Sequence, residues 1–140
     1  ASGWEKVKSD LYVTISGSFG ESGNVYLERI GEAKFAILIH GGGMWQGYEL
    51  GVIRMIEISE DKIGQILEVN SYESNEYSGI CVDQGDCFDY TMSYSFIDLG
   101  REYYDLRLEW SGTYPSDWEA PFSGAPNDVV LRYSGGRYIE

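Results

Sequence analysis

Histidine occurs once in this 140-residue chain, as His40, and cysteine twice, as Cys81 and Cys87. Three such side chains cannot supply the four ligands of an ordinary structural zinc site. Cations are also few: 10 Lys and Arg stand against 23 Asp and Glu, a net charge of −13. Phosphate contacts need clustered Lys and Arg, so this balance argues against nucleic acid as a partner and disfavours anionic membrane surfaces. No stretch approaches the roughly 18 apolar residues of a membrane helix. Glycosylation sequons are missing too, because the residues two after Asn24, Asn70, Asn75 and Asn127 are Tyr26, Tyr72, Tyr77 and Val129. The chain opens Ala-Ser-Gly without an initiator Met or signal peptide, as expected of a processed mature form or a cloning remnant.

Alanine is scarce, while 18 Gly, 12 Tyr and many β-branched residues favour strands and turns over helices. A chain of this length is one domain's worth, burying roughly two-thirds of its unfolded surface. Residues 2–11 read as a short helix, with Trp4, Val7 and Leu11 in helical spacing, or Leu11–Ser16 begins a first strand. Strand segments follow at Val25–Ile30, Lys34–Ile39, Tyr48–Ser59 and Gly64–Asn70, with His40 to Gly47 (HGGGMWQG) breaking the chain between the second and third. Alternation is cleanest in Tyr90, Met92, Tyr94 and Phe96, and in Tyr104, Leu106, Leu108 and Trp110 opposite Tyr103, Asp105, Arg107 and Glu109. Those two runs predict an antiparallel hairpin with one wet face. Ser111–Asp128 holds all three prolines and is expected to be a long irregular loop, the kind that is often functional. Val129–Ser134 and Arg137–Ile139 close the chain around Gly135–Gly136. The fold expected is an all-β antiparallel sandwich or barrel of eight or nine strands.

Charge is concentrated. Between Glu57 and Asp89 lie nine carboxylates (Glu57, Glu60, Asp61, Glu68, Glu73, Glu76, Asp83, Asp86 and Asp89) against one base, Lys62. A solvated acidic face looks like this, and so does a surface that recognises something basic. Cys81 and Cys87, six positions apart inside this block, read as a disulfide. Loop-closure entropy for so short a ring is about 2–2.5 kcal/mol, so the bridge shapes the Val82–Asp86 loop more than it holds the fold. It implies an oxidising compartment, periplasmic or extracellular.

Two catalytic patterns fail. His40-Gly41-Gly42-Gly43 after an apolar strand looks like the oxyanion motif of lipases and esterases. That chemistry also needs a G-x-S-x-G elbow and a separate base histidine, and the sequence has neither. Paired carboxylates perform glycoside hydrolysis, but nothing singles out one pair among 23 acids. The chain is therefore expected not to be an enzyme. No cofactor is expected unless it is calcium, for which Asp83, Asp86 and Asp89 crowd around the cysteine loop without an EF-hand pattern.

Ser22-Gly23-Asn24-Val25-Tyr26 and Ser134-Gly135-Gly136-Arg137-Tyr138 share an S-G-x-x-Y pattern. It resembles the short motif of bacterial periplasmic lysozyme inhibitors, small antiparallel β-barrels that insert a loop into the lysozyme cleft. The resemblance implies that Ser22 or Ser134 enters the cleft while the tyrosine braces the loop. In size, acidity and disulfide use the chain is also similar to periplasmic immunity proteins that neutralise effectors of the type VI secretion system.

Three functions are expected from these features. The first is inhibition of a basic protein, such as a peptidoglycan hydrolase or toxin, with Glu73, Glu76, Asp83, Asp86 and Asp89 as contact carboxylates and Trp118 as an aromatic anchor. The second is a carbohydrate-binding module that stacks sugars on exposed Trp45, Tyr48, Tyr114, Trp118 and Phe122. The third is an exported assembly component with no discrete site.

Overall fold

In a computed structural model the described residues are 23–140 except Asp61, together with Gly3, Glu5, Ser9, Val13 and Thr14. The helix or early strand expected before residue 17 falls outside them but for isolated positions, as does Ser22. Eight strands follow in chain order, each antiparallel to the next: β1 (Asn24–Arg29), β2 (Phe35–Trp45), β3 (Tyr48–Ile58), β4 (Ile63–Ser74), β5 (Asp89–Ile97), β6 (Asp105–Thr113), β7 (Val129–Ser134) and β8 (Arg137–Ile139). One short helix, α1 (Gly79–Gln84), lies between β4 and β5. The chain is all-β, as its composition predicts.

The HGGG segment does not break the chain. Gly41, Gly42 and Gly43 pair with Val52, Gly51 and Leu50 as ordinary rungs of the β2–β3 ladder. A Cβ on Gly42 would lie 2.0 Å from the Leu50 carbonyl oxygen, so glycine permits a close approach here rather than a turn. The reversal comes later, at Gln46 and Gly47, whose φ values of 50° and 82° suit a two-residue hairpin turn of type I′.

β4 also runs further than its alternation predicts, through Ser74. Two register shifts against β3 explain why. Met55 faces Leu67 while Ile56 faces Gln65, and Gly51 faces Tyr72 while Val52 faces Asn70, leaving Ile66 and Ser71 as extra residues. A bulge resets which side a strand buries. Consecutive Ile66 and Leu67 are thus both buried, and Ser71 is buried as well.

β4 and β5 share only three residue pairs, Tyr72 with Thr91, Glu73 with Tyr90 and Ser74 with Asp89. The sheet therefore folds at this corner into two four-stranded halves around one core. Leu38, Met55, Ile66 and Val69 from the first half pack with Met92, Leu106, Leu108 and Leu131 from the second. Side-chain bonds cross between the halves, as where the Tyr94 hydroxyl donates to Glu28 at 2.8 Å. At the far end a Gly31–Tyr103 bridge ties the residues after β1 to those before β6.

The meander sorts its connections by end. The β1–β2, β3–β4, β5–β6 and β7–β8 turns lie at one end; the β2–β3 turn, the disulfide segment 75–88 and the segment 114–128 lie at the other. At the first end a buried carboxylate holds the turns together. Glu57, 2% exposed, accepts hydrogen bonds from the phenols of Tyr103 and Tyr133. Those two rings stack with centroids 3.7 Å apart, and Lys62 lies 3.6 Å from the carboxylate while donating to the Gly136 carbonyl at 2.7 Å. Burial by itself raises the Glu57 pKa, but the two phenols and the ammonium outweigh it and hold the carboxyl below the usual range. Asp105, expected on the wet face beside them, is instead buried and paired with Arg101 at 3.0 Å.

Candidate functional site

The end with the long connections carries the acid. Among its connecting residues, segment 75–88 contributes Glu76, Asp83 and Asp86, and segment 114–128 contributes Asp117, Glu119 and Asp128; neither contains Lys, Arg or His. The turns at the opposite end mix Glu32, Glu60, Asp98 and Glu102 with Lys34, Lys62 and Arg101 among the described residues. The charge polarity is built by topology, since the acids of segment 114–128 begin at Asp117, 30 residues after Cys87 in sequence.

The cysteine segment is ordered by local chemistry. Cys81 and Cys87 form the expected disulfide. Between them the chain is helical rather than a plain loop. Ser78 caps α1 by accepting from the Cys81 amide at 3.2 Å, and Gly85 ends it with φ 73° and donates its backbone N–H to the Cys81 carbonyl. Asn75, 2% exposed, staples the base: its amide nitrogen donates to the Asp86 carbonyl at 2.8 Å, and its amide oxygen accepts from the Phe88 N–H at 2.7 Å. Sequence reasoning missed Asn75, whose only signal was an Asn at the entrance to a turn. On this braced segment Tyr77 is 70% and Val82 72% exposed, and nearby Trp45 in the β2–β3 hairpin is 52% exposed. Gly47 brings the two together, because a Cβ there would lie 2.1 Å from the Tyr77 carbonyl.

A groove of about 440 Å³ lies between β4 and segment 114–128. Its lining includes Glu68, Glu73, Asp117 and Glu119, the rings of Tyr90, Trp110 and Trp118, and no Lys, Arg or His. The aromatic floor is held rigid: Trp118 lies 4.6 Å from Tyr114 and 5.7 Å edge-on from Tyr90, centroid to centroid, while Phe122 packs on Trp110 at 6.3 Å. Tyr90 is 3% exposed, and its phenol is pushed up to about 12 by burial first, opposed by its contact with Trp118 and aided by the neighbouring Glu73 charge. Glu68 accepts from the Arg54 side chain at 2.8 Å, and Glu73 accepts from the Asn70 amide at 2.5 Å. Neither Asp117 nor Glu119 has a cationic partner among the described residues.

The carboxylates expected to act together are divided between two surfaces. Glu73 and Trp118 line the groove; Glu76, Asp83 and Asp86 are exposed on the disulfide segment; Asp89 opens β5, half-buried at the corner. Sequence reasoning passed over Glu68, Tyr90, Asp117 and Glu119, although the acid–Trp–acid run Asp117-Trp118-Glu119 is a visible signal. Of the aromatics expected to be exposed, Trp45 is; Tyr48, Tyr114, Trp118 and Phe122 are half-buried, and the Tyr114 and Trp118 planes are tilted by 34°. Among the described residues no group of three His, Cys, Asp or Glu side chains is arranged to hold a metal ion.

His40 does not sit at a strand end. It lies within β2, and its Nε2 is 2.9 Å from the Oγ of the bulge residue Ser71, across Gly51 of β3. Ser71 is 4% exposed, so this pair bridges strands. In the second S-G-x-x-Y copy, Ser134 is exposed at the start of the β7–β8 turn, and buried Tyr138 donates to the Tyr104 carbonyl at 3.1 Å. No helix among the described residues is long and apolar enough to cross a membrane. In comparisons with protein families, curated proteins and solved structures, nothing matches the chain.

Proposed function

We propose that this chain is a non-catalytic binding protein of an exported compartment that inhibits a basic protein, a cell-wall-degrading hydrolase or a secreted toxin. The observation that carries the reading is the polarity of the fold: one end gathers six connecting carboxylates (Glu76, Asp83, Asp86, Asp117, Glu119 and Asp128) and no base. Enzymes that work on anionic glycan are commonly cationic, and complementary charge speeds encounter and fixes orientation. Exposed Tyr77, Val82 and Trp45 beside those charges supply the apolar anchors that a stable interface needs. The disulfide and the Asn75 staple pre-organise the segment, which reduces the entropy lost on docking. The non-catalytic reading rests on His40, whose ring is engaged with a buried serine, and on glycine amides that belong to a strand ladder.

The test is inhibition of a cationic muramidase and binding to it, followed by surface plasmon resonance as ionic strength rises. Between about 0.01 M and 0.15 M salt the Debye length falls from about 30 to 8 Å, so association should slow steeply. The Asp83→Asn/Asp86→Asn double variant should associate more slowly and with a shallower salt dependence. An unchanged on-rate and salt slope would sink the electrostatic reading.

A further inference from the structure

The groove between β4 and segment 114–128 has a composition that selects a narrow class of occupant. It is too small for a folded segment and lies at the low end of the range for small-molecule sites, about 300–1,000 Å³. Its floor is aromatic and rigid, its rim carries four carboxylates, and no cation lines it. Arg54 compensates Glu68 from outside, which leaves Glu73, Asp117 and Glu119 as the charges that a ligand meets. Tyr90 faces the groove while 97% of its surface is covered, and its hydroxyl interacts with Trp118, Glu73 and Asn70. The unbalanced feature of the groove is its rim, where three like charges converge with no cation among the lining residues.

We infer that the groove is a receptor for one cationic side chain, an arginine projecting from the basic partner, stacked on Trp118 and ringed by Glu73, Asp117 and Glu119. The inference rests on the inhibitor reading above. Aromatic faces attract a guanidinium through their negative quadrupole, and its planar fork presents five donors to carboxylates spaced around it. Neutral sugar also stacks on aromatic rings, but it gains little from three converging negative charges. Arginine is preferred over lysine because its weakly hydrated plane enters a stacked site at lower desolvation cost.

The experiment titrates the intact protein with acetyl-Gly-Arg-Gly-amide, with the same peptide carrying citrulline in place of arginine, and with a neutral chitooligosaccharide. The readout is the Trp118 indole N–H resonance. Citrulline keeps the shape and removes the charge, so the arginine peptide should bind at least about tenfold more tightly at low salt. Asp117→Asn with Glu119→Gln, both on an exposed segment, should abolish that preference while leaving the far-UV circular dichroism unchanged. Equal binding of the two peptides, or a Trp118 shift with the sugar alone, overturns the assignment. If the arginine peptide fails to bind and a basic hydrolase is still inhibited, the groove assignment falls and the inhibitor reading stands. If the peptide binds and no basic hydrolase is bound or inhibited, the inhibitor reading falls and the groove remains a cation receptor.

Discussion

At the scale of single residues, Glu57 decides how the two halves meet. Its carboxylate, Tyr103, Tyr133 and Lys62 come from β3, from the residues before β6, from β7 and from the β3–β4 turn, and no local pattern announces that they converge. Because the folded pKa lies below the unfolded one, the ionised form stabilises the fold above the usual carboxylate range, and that contribution is lost as pH falls through the folded value. Glu57→Gln should therefore cost about 1–3 kcal/mol near neutral pH, with the difference from wild type shrinking below about pH 4. Urea unfolding at several pH values checks this, and a deficit that grows on acidification would contradict it. Tyr133 carries the opposite linkage. Burial, and next its bond to the Glu57 carboxylate, raise its phenol, so its share of stability persists through neutral pH and is lost only in strong alkali.

At the scale of elements, legibility followed periodicity. β5 and β6 alternate cleanly, and Tyr90, Met92, Leu106, Leu108 and Trp110 are buried as their spacing predicts. β2 and β4 were harder for two physical reasons. Gly41–Gly43 have turn composition, but their role is to let β2 and β3 approach, which depends on the partner strand. Ile66 and Ser71 are bulges, and an inserted residue erases the period-two signal. The groove was half legible: Glu73 and Trp118 could be named, but their convergence depends on segment 114–128 folding back onto Tyr90. Within the cysteine segment the division of labour is testable. Removing the bridge with Cys81→Ser/Cys87→Ser should cost about 2 kcal/mol and leave the core intact. Asn75→Ala strips two buried hydrogen bonds and should cost about as much, 1–3 kcal/mol. Amide exchange across residues 75–88 should rise in both variants while exchange in β5 and β6 stays slow; global loss of protection in either would refute the local role.

At the scale of the whole molecule, the meander turns a strongly acidic sequence into a body with two unlike ends. Charge removed from the end with mixed turns should matter little to a basic partner. Glu60→Gln with Glu102→Gln is expected to leave the association rate within about twofold, while neutralising Glu76 and Asp83 slows it about tenfold at low salt. Matched stopped-flow measurements decide it: equal effects from both ends would mean that net charge alone steers the encounter, with no oriented approach.

The narrow corner between β4 and β5 has a consequence for how the protein is made. Its three residue pairs separate a first half that is complete, strand by strand, before the second is synthesised. Until Leu106, Leu108 and Leu131 arrive, Leu38, Met55 and Ile66 lack the second-half side chains that share their core. A chain threaded through an export channel would emerge with that sheet first and bare, a strong reason for a holding chaperone on the far side. A product ending after β4 is then not a smaller version of this protein but a one-sided apolar sheet, built to aggregate.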